Sequence, residues 1–135
     1  MVEAGEKPIV TLTGISGYLG AVACLKFLED GSFRVRGTVR DTTNEAKIAP
    51  LREAFGDLFS QLELRQADLN DEQSMIDAIA GSTYVCHMAS PFFFGSESTE
   101  ETMVKPAVNG TLAAMRACKA AGVKRIVITS SLASI

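Results

Sequence analysis

The sequence predicts an α/β protein built on one doubly wound parallel sheet, and three observations carry that prediction. Five short strand-like segments alternate with four segments of helical periodicity. The first run passes through a glycine-rich turn directly into a helical segment. The chain has 135 residues, 47% of them hydrophobic, which suits a single domain with a buried core spanning 1–135.

The elements follow in order. Ile9-Val10-Thr11-Leu12 has the β-branched character of a strand buried on both faces. Residues 18–30 place Tyr18, Val22, Leu25 and Leu28 at helical spacing and stop at Gly31. Residues 33–40 alternate, with Val35, Gly37 and Val39 on one face, as a second strand. After the polar turn Asp41-Thr42-Thr43-Asn44 comes a helix with Ile48, Leu51, Phe55 and Leu58 on one stripe. Pro50 is expected in its first turn, where a missing N–H costs little.

Leu62-Glu63-Leu64-Arg65 is a third, short strand that runs out through Ala67-Asp68-Leu69. Asn70 or Asp71 caps a helix that turns Met75, Ile76 and Ile79 inward and ends at Gly81. Residues 84–89 form a fourth strand, broken by Ser90-Pro91, and Phe92-Phe93-Phe94 opens a loop. Ser98 and Glu101 have capping-box spacing. The helix they open is expected to kink at Pro106, run to Ala121, and lay Ala107, Gly110, Ala114, Ala117 and Ala121 on the sheet. Residues 125–129 are the fifth strand, and 130–135 close the chain. Right-handed crossovers between such units give a Rossmann-like sheet of order 3-2-1-4-5, cut off after the fifth strand. A ligand then lies across the carboxyl ends of the strands, at the switch point.

Composition removes several classes. Thirteen basic and 16 acidic residues, mixed along the chain for a net charge of −3, supply no basic face for nucleic acid. No apolar run approaches the length that crosses a bilayer, and the acidic, polar first residues are unlike a signal peptide. Cys24, Cys86 and Cys118 are odd in number and set in apolar segments, which suits buried thiols in a reducing, cytoplasmic compartment. With His87 the only histidine, a multi-histidine metal site is excluded.

The chemistry begins at Thr13-Gly14-Ile15-Ser16-Gly17-Tyr18-Leu19-Gly20, in the strand–turn–helix context that a dinucleotide-binding fingerprint requires. Gly14 permits the tight turn, Gly17 the approach of a pyrophosphate, and Gly20 close packing of helix on strand. The helix N-terminus offers N–H groups and partial positive charge to the phosphates. Arg40 and Lys47, after the second strand, suit the 2′-phosphate of NADP, whereas the adjacent Asp41 suits the free hydroxyls of NAD. Spacing leaves that choice open. Asp68 can accept from an adenine amino group while Leu69 covers the ring, or it can serve as a helix cap. Ala89-Ser90-Pro91 falls on the same rim, beside the nicotinamide ribose. The Phe92–Phe94 run is either a substrate wall or a loop packed on the core, and His87 reads as a satisfied core histidine. Ser130 and Ser131 end the fifth strand where a carbonyl substrate would meet the cofactor.

These segments, together with Thr38-Val39-Arg40-Asp41, His87-Met88-Ala89-Ser90-Pro91, Lys105-Pro106-Ala107-Val108-Asn109-Gly110-Thr111 and residues 124–131, resemble the extended short-chain dehydrogenase/reductase superfamily. They are most similar to its dihydroflavonol 4-reductase, cinnamoyl-CoA reductase and cinnamyl-alcohol dehydrogenase-like branch. The resemblance implies NADPH as cofactor, with Arg40 and Lys47 on the 2′-phosphate, Asp68 and Leu69 at the adenine, and Met88, Ala89 and Ser90 along the nicotinamide half. It implies that Ser131 hydrogen-bonds the carbonyl of a small aldehyde or ketone substrate, reduced to the alcohol by hydride transfer.

In that family a tyrosine, with a lysine four residues later, protonates the alkoxide. The only tyrosines here, Tyr18 and Tyr84, are followed at that distance by Val22 and Met88. The resemblance therefore covers the first part of such an enzyme, less than half, and the chain alone is expected to be inactive. The fifth strand is expected to leave an apolar edge that invites self-association. A non-catalytic NADPH-binding module is the alternative function, and the first part of an NAD-dependent sugar-nucleotide epimerase or dehydratase is another.

Overall fold

Residues 6–89, 101 and 104–130 are described in the computed structural model of the chain. In them the apolar runs form strands β1 (Ile9–Thr13), β2 (Arg34–Val39), β3 (Leu62–Gln66), β4 (Tyr84–His87) and β5 (Arg125–Ile128). The connections supply helices α1 (Tyr18–Asp30), α2 (Glu45–Phe55), α3 (Glu72–Ile79) and α4 (Lys105–Ala121). Every pairing is parallel and the order is β3-β2-β1-β4-β5, as the alternation predicts. Because the strands run the same way, all their carboxyl ends lie on one rim.

Two apolar clusters hold the sheet between its helices. On one face, Val10 and Leu12 of β1 and Val35 and Val39 of β2 pack with Cys24 and Leu28 of α1 and Ile48, Leu51 and Phe55 of α2. On the other, Val85 of β4 packs with Met75, Ala78 and Ile79 of α3 and Ala113, Ala114, Ala117 and Cys118 of α4. Each fully buried Leu, Ile or Met contributes about 1.5–3 kcal/mol. The small stripe of α4 is thus buried at Gly110, Ala114 and Ala117, and half-buried at Ala107 and Ala121.

The second face also buries polar groups, each with a partner. Thr11 Oγ1 lies 2.6 Å from Ser82 Oγ. Arg36, on β2, donates through Nη1 to the carbonyls of Ala78 (2.8 Å) and Ala80 (2.7 Å). These carbonyls close α3, where the helix leaves acceptors without intrahelical donors and carries partial negative charge. Arg36 Nε donates to Glu63 at 3.0 Å. Burial would raise the Glu63 carboxyl, but hydrogen bonds from Arg65 and Arg36 hold it below its ordinary value.

Four local expectations are corrected. The buried stripe of α1 is Gly20, Cys24 and Leu28; Tyr18 is 90% exposed, Val22 is exposed and Leu25 half-buried. The reason is steric: Gly20 must face the glycine turn, which fixes the helix's rotation about its axis and turns Tyr18 and Val22 outward. Pro50 stands inside α2 rather than in its first turn, because the helix starts earlier, where Lys47 and Ile48 donate to the Asn44 carbonyl. Leu58 lies beyond α2, in the 3-10 segment Gly56–Gln61. Pro106 occupies the first turn of α4, after π-helical backbone at Glu101 and Val104, so it stands at the start of the α-helix rather than in its interior. Asp71, not Asn70, caps α3, accepting from Ser74 N. The expected helix start at Ser98 and the Phe92–Phe94 run lie outside the described residues. No helix among the described residues is long and apolar enough to cross a membrane.

Candidate cofactor site

The site starts at the end of β1. Gly14 has φ +73°, a left-handed conformation that glycine adopts without strain. A Cβ there would come 2.9 Å from Ala89 Cα, so the turn and the segment after β4 touch backbone to backbone. Two bonds tie the turn to β2: Gly14 N donates to Thr38 Oγ1 (3.3 Å) and Ile15 N to the Thr38 carbonyl (3.1 Å). Ile15 is fully buried over Gly37, where a Cβ would meet its Cδ1 at 2.5 Å.

The other two glycines of the motif differ in kind. A Cβ on Gly20 would lie 2.2 Å from the Gly14 carbonyl oxygen, so α1 sits as close on the turn as the backbones allow. A Cβ on Gly17 would meet only the Gly14 oxygen at 3.5 Å, an ordinary contact. Gly17 has an extended backbone open to any residue (φ −81°, ψ 165°), and no side chain caps α1. The fold itself does not require this glycine. Its missing side chain leaves open space in front of the first N–H groups of α1, the surface a pyrophosphate needs. Ser16, Tyr18 and Leu19 border it and are exposed.

Along the rim, β3 delivers Asp68 and Leu69, β2 Arg40, β1 the glycine turn, and β4 Met88 and Ala89. At roughly 4.8 Å per strand, the rim from β3 to β5 is about 19 Å long. Asp68 Oδ1 accepts from Asn70 N (2.9 Å), and its own N–H donates to Ser74 Oγ (2.9 Å). Leu69 is held by α4: a Cβ on Gly110 would lie 2.8 Å from Leu69 Cδ2. Beyond β2, Asp41 Oδ1 accepts from both Thr43 N (2.9 Å) and Thr43 Oγ1 (2.6 Å), which lowers its pKa. Arg40 and Lys47 are exposed, and neither forms an ion pair among the described residues.

Thr13 and His87 join β1 to β4 at the rim. Thr13 Oγ1 lies 2.9 Å from His87 Nδ1 and accepts from Met88 N (3.0 Å) and Ala89 N (3.1 Å). His87 is 3% exposed and its pKa is lowered by burial, as befits a core histidine with a partner. Burial also raises Cys24 to about 12 and Cys118 to about 11 and pushes Cys86 up, which favours the protonated thiol at all three.

The structure thus brings Thr13, Gly14, Ser16, Gly17, Tyr18, Leu19, Gly20, Arg40, Asp68, Leu69, Met88 and Ala89 to one rim, with Lys47 in the first turn of α2 beside it. Ser90 and Ser131 lie outside the described residues. Thr38, Gly37 and Gly110 shape the site from behind, a role that sequence reasoning did not assign them. Only the two glycines offered a signal, as small residues inside a strand and a helix.

The chain matches the model of the 3-beta hydroxysteroid dehydrogenase/isomerase family over residues 11–135. It is 46% identical to dihydroflavonol 4-reductase of Hordeum vulgare over 132 residues, 97% of this chain and 37% of that protein. Among solved structures, vestitone reductase from alfalfa (Medicago sativa) superposes with TM-score 0.74 at 30% identity, over 96% of this chain and 38% of that one. Yeast methylglyoxal/isovaleraldehyde reductase, complexed with NADPH, gives TM-score 0.77 at 26% identity, over 94% and 38%. The chain therefore spans a little over a third of the length of the curated relatives it matches. The fold, the glycine turn and these similarities together establish that the chain belongs to the 3-beta hydroxysteroid dehydrogenase/isomerase family.

Proposed function

We propose that this chain is the cofactor-holding part of an NADPH-dependent reductase that converts an aldehyde or ketone to an alcohol. The observation that carries the reading is Gly17, a glycine the fold does not need, standing before an uncapped helix N-terminus. NADPH, when bound, supplies the hydride. The chain's own residues do the holding. The α1 N–H groups take the pyrophosphate, Asp68 and Leu69 the adenine, and Met88, Ala89 and Ser90 the nicotinamide half.

The preference for NADPH over NADH rests on Arg40 and Lys47, with Asp41 supporting it. That carboxylate already accepts two bonds from Thr43, while the two cations form no ion pair among the described residues. Relatives that are reductases, one of them complexed with NADPH, support the same reading. An NAD-dependent epimerase or dehydratase is the weaker reading for the same reason.

Ser131 is assigned to the substrate carbonyl by resemblance to the reductases. These 135 residues contain no Tyr-x-x-x-Lys pair to protonate the alkoxide. General-acid catalysis is worth about 10²–10⁴-fold, so the chain by itself binds NADPH without useful turnover, in effect as a binding module. Calorimetric titration with NADPH and NADH, alongside NADPH oxidation with cinnamaldehyde- or dihydroflavonol-type carbonyls, tests this. Binding selective for NADPH without steady oxidation is expected, and equal binding of both cofactors defeats the roles of Arg40 and Lys47. The setting is cytoplasmic, and a second copy of the chain is the proposed partner of the β5 edge, where Val127 and Ile128 are exposed.

A further inference from the structure

We propose that His87 is a positioning residue for the cofactor site, acting as a neutral imidazole with its proton on Nε2. The inference rests on counting hydrogens at Thr13. A threonine hydroxyl has one proton and two lone pairs. Both lone pairs of Thr13 Oγ1 are taken, by Met88 N (3.0 Å) and Ala89 N (3.1 Å). Its proton therefore points to the remaining neighbour, His87 Nδ1, at 2.9 Å. Nδ1 must then be an acceptor, and the ring proton sits on Nε2.

The arrangement has a consequence at the rim. β4 ends at His87, so the N–H groups of Met88 and Ala89 lie past the end of that strand. Thr13 takes them in place of a neighbouring strand. With its proton committed to Nδ1, the hydroxyl's rotation is fixed and both lone pairs face those amides. His87 is also anchored through its backbone, since Thr129 N donates to its carbonyl at 3.1 Å. Ala89 is thereby pressed to Gly14, where there is no room even for a Cβ. The gap between the pyrophosphate turn and the nicotinamide segment is set by this chain of bonds. An imidazole with a proton on Nδ1 would face Thr13 donor to donor and release it. Burial of the ring favours the neutral form in the same direction.

The cofactor consequence rests on the dinucleotide reading above, and the tests separate the two. His87 is the only histidine, so the imidazole nitrogens of the uniformly ¹⁵N-labelled chain give one unambiguous pair of signals. A pyridine-like Nδ1 and a protonated Nε2 at neutral pH are expected; a protonated Nδ1, or a charged ring, overturns the proposal. Amide hydrogen exchange at Met88 and Ala89 should be slow in the wild type and in His87→Asn, whose amide restores an acceptor near Nδ1, and fast in His87→Leu. Equal rates in all three chains would sink it.

NADPH affinity should fall about tenfold in His87→Leu and stay within about threefold in His87→Asn, the scale of one hydrogen bond. Unchanged affinity in His87→Leu removes the positioning role. If the wild-type chain binds no NADPH, the functional reading fails, while the imidazole spectrum and the exchange rates still decide the lock. The spectrum needs no variant, so a misfolded His87→Leu leaves the test intact.

Discussion

Gly17→Ala and Gly20→Ala add the same methyl group three residues apart, and the structure predicts opposite phenotypes. On Gly20 the Cβ would lie 2.2 Å from Gly14 O, 2.9 Å from Gly14 C and 3.0 Å from Ile15 Cα, all of them backbone atoms. No side chain can swing away, so α1 must move off the turn. Overpacking of this kind costs about 1–3 kcal/mol. A site with only backbone to displace belongs at the upper end, and the lost freedom of the unfolded chain returns about 0.4–1 kcal/mol. A net loss of about 2 kcal/mol lowers Tm by about 8 °C in a domain of this size.

On Gly17 the Cβ meets one atom at ordinary distance. The poorer helix cap and the stiffer unfolded chain nearly cancel, leaving stability within about 1 kcal/mol. The methyl group instead occupies the space a pyrophosphate needs, and NADPH affinity should drop at least about tenfold. Thermal unfolding by circular dichroism and calorimetric titration of both variants provide the comparison. A Gly17→Ala chain that melts as low as Gly20→Ala, or that binds NADPH like the wild type, refutes the division of roles.

Three further outcomes follow from the packing. Arg36→Met should destabilise the chain by about 2–3 kcal/mol in urea unfolding, because two carbonyls that close α3 lose a buried donor; a loss under about 0.5 kcal/mol would mean water replaces it freely. His87 has its pKa lowered from 6.5 by burial, so just below that value the unfolded chain binds a proton the folded chain refuses. Its contribution is full above about pH 6.5 and is lost as pH falls through the folded value. The urea midpoint should therefore drop as pH falls below about 6.5, and less in His87→Asn; equal drops would contradict the assignment. Light scattering should show mass rising with protein concentration, and Val127→Lys, which charges an exposed edge position, should reduce it. A monodisperse monomer at every concentration would refute pairing at that edge.

The sheet order was legible because short strand-like segments, β-branched in β1 and β5, alternate with helices marked by punctuation, as Gly31, Asp71 and Gly122 do. The rotation of α1 was not. Tyr18, Val22 and Leu25 fit a helical period as well as Gly20, Cys24 and Leu28 do, and hydropathy favours the larger residues. What decides is a contact of 2.2 Å between a hypothetical methyl on Gly20 and the backbone oxygen of Gly14, a matter of space rather than of pattern.

 The helix turns to fit the turn, and the aromatic residue is left outside. Pro50 misled for a similar reason: the chain enters α2 through Asn44, a turn before the proline. In the site, the glycine motif and the residues at strand ends were readable as types at fixed spacing. The Thr13–His87 pair was not, because its members lie 74 residues apart and meet only when β4 pairs with β1.

The most direct test of the central claim is calorimetric titration of the 135-residue chain with NADPH and NADH, repeated on Arg40→Ala/Lys47→Ala. The account predicts tighter binding of NADPH by the wild type, and near-equal, weak binding of both cofactors by the double variant. No NADPH binding by a folded wild-type chain, or a preference for NADPH that survives the loss of both cations, would contradict it.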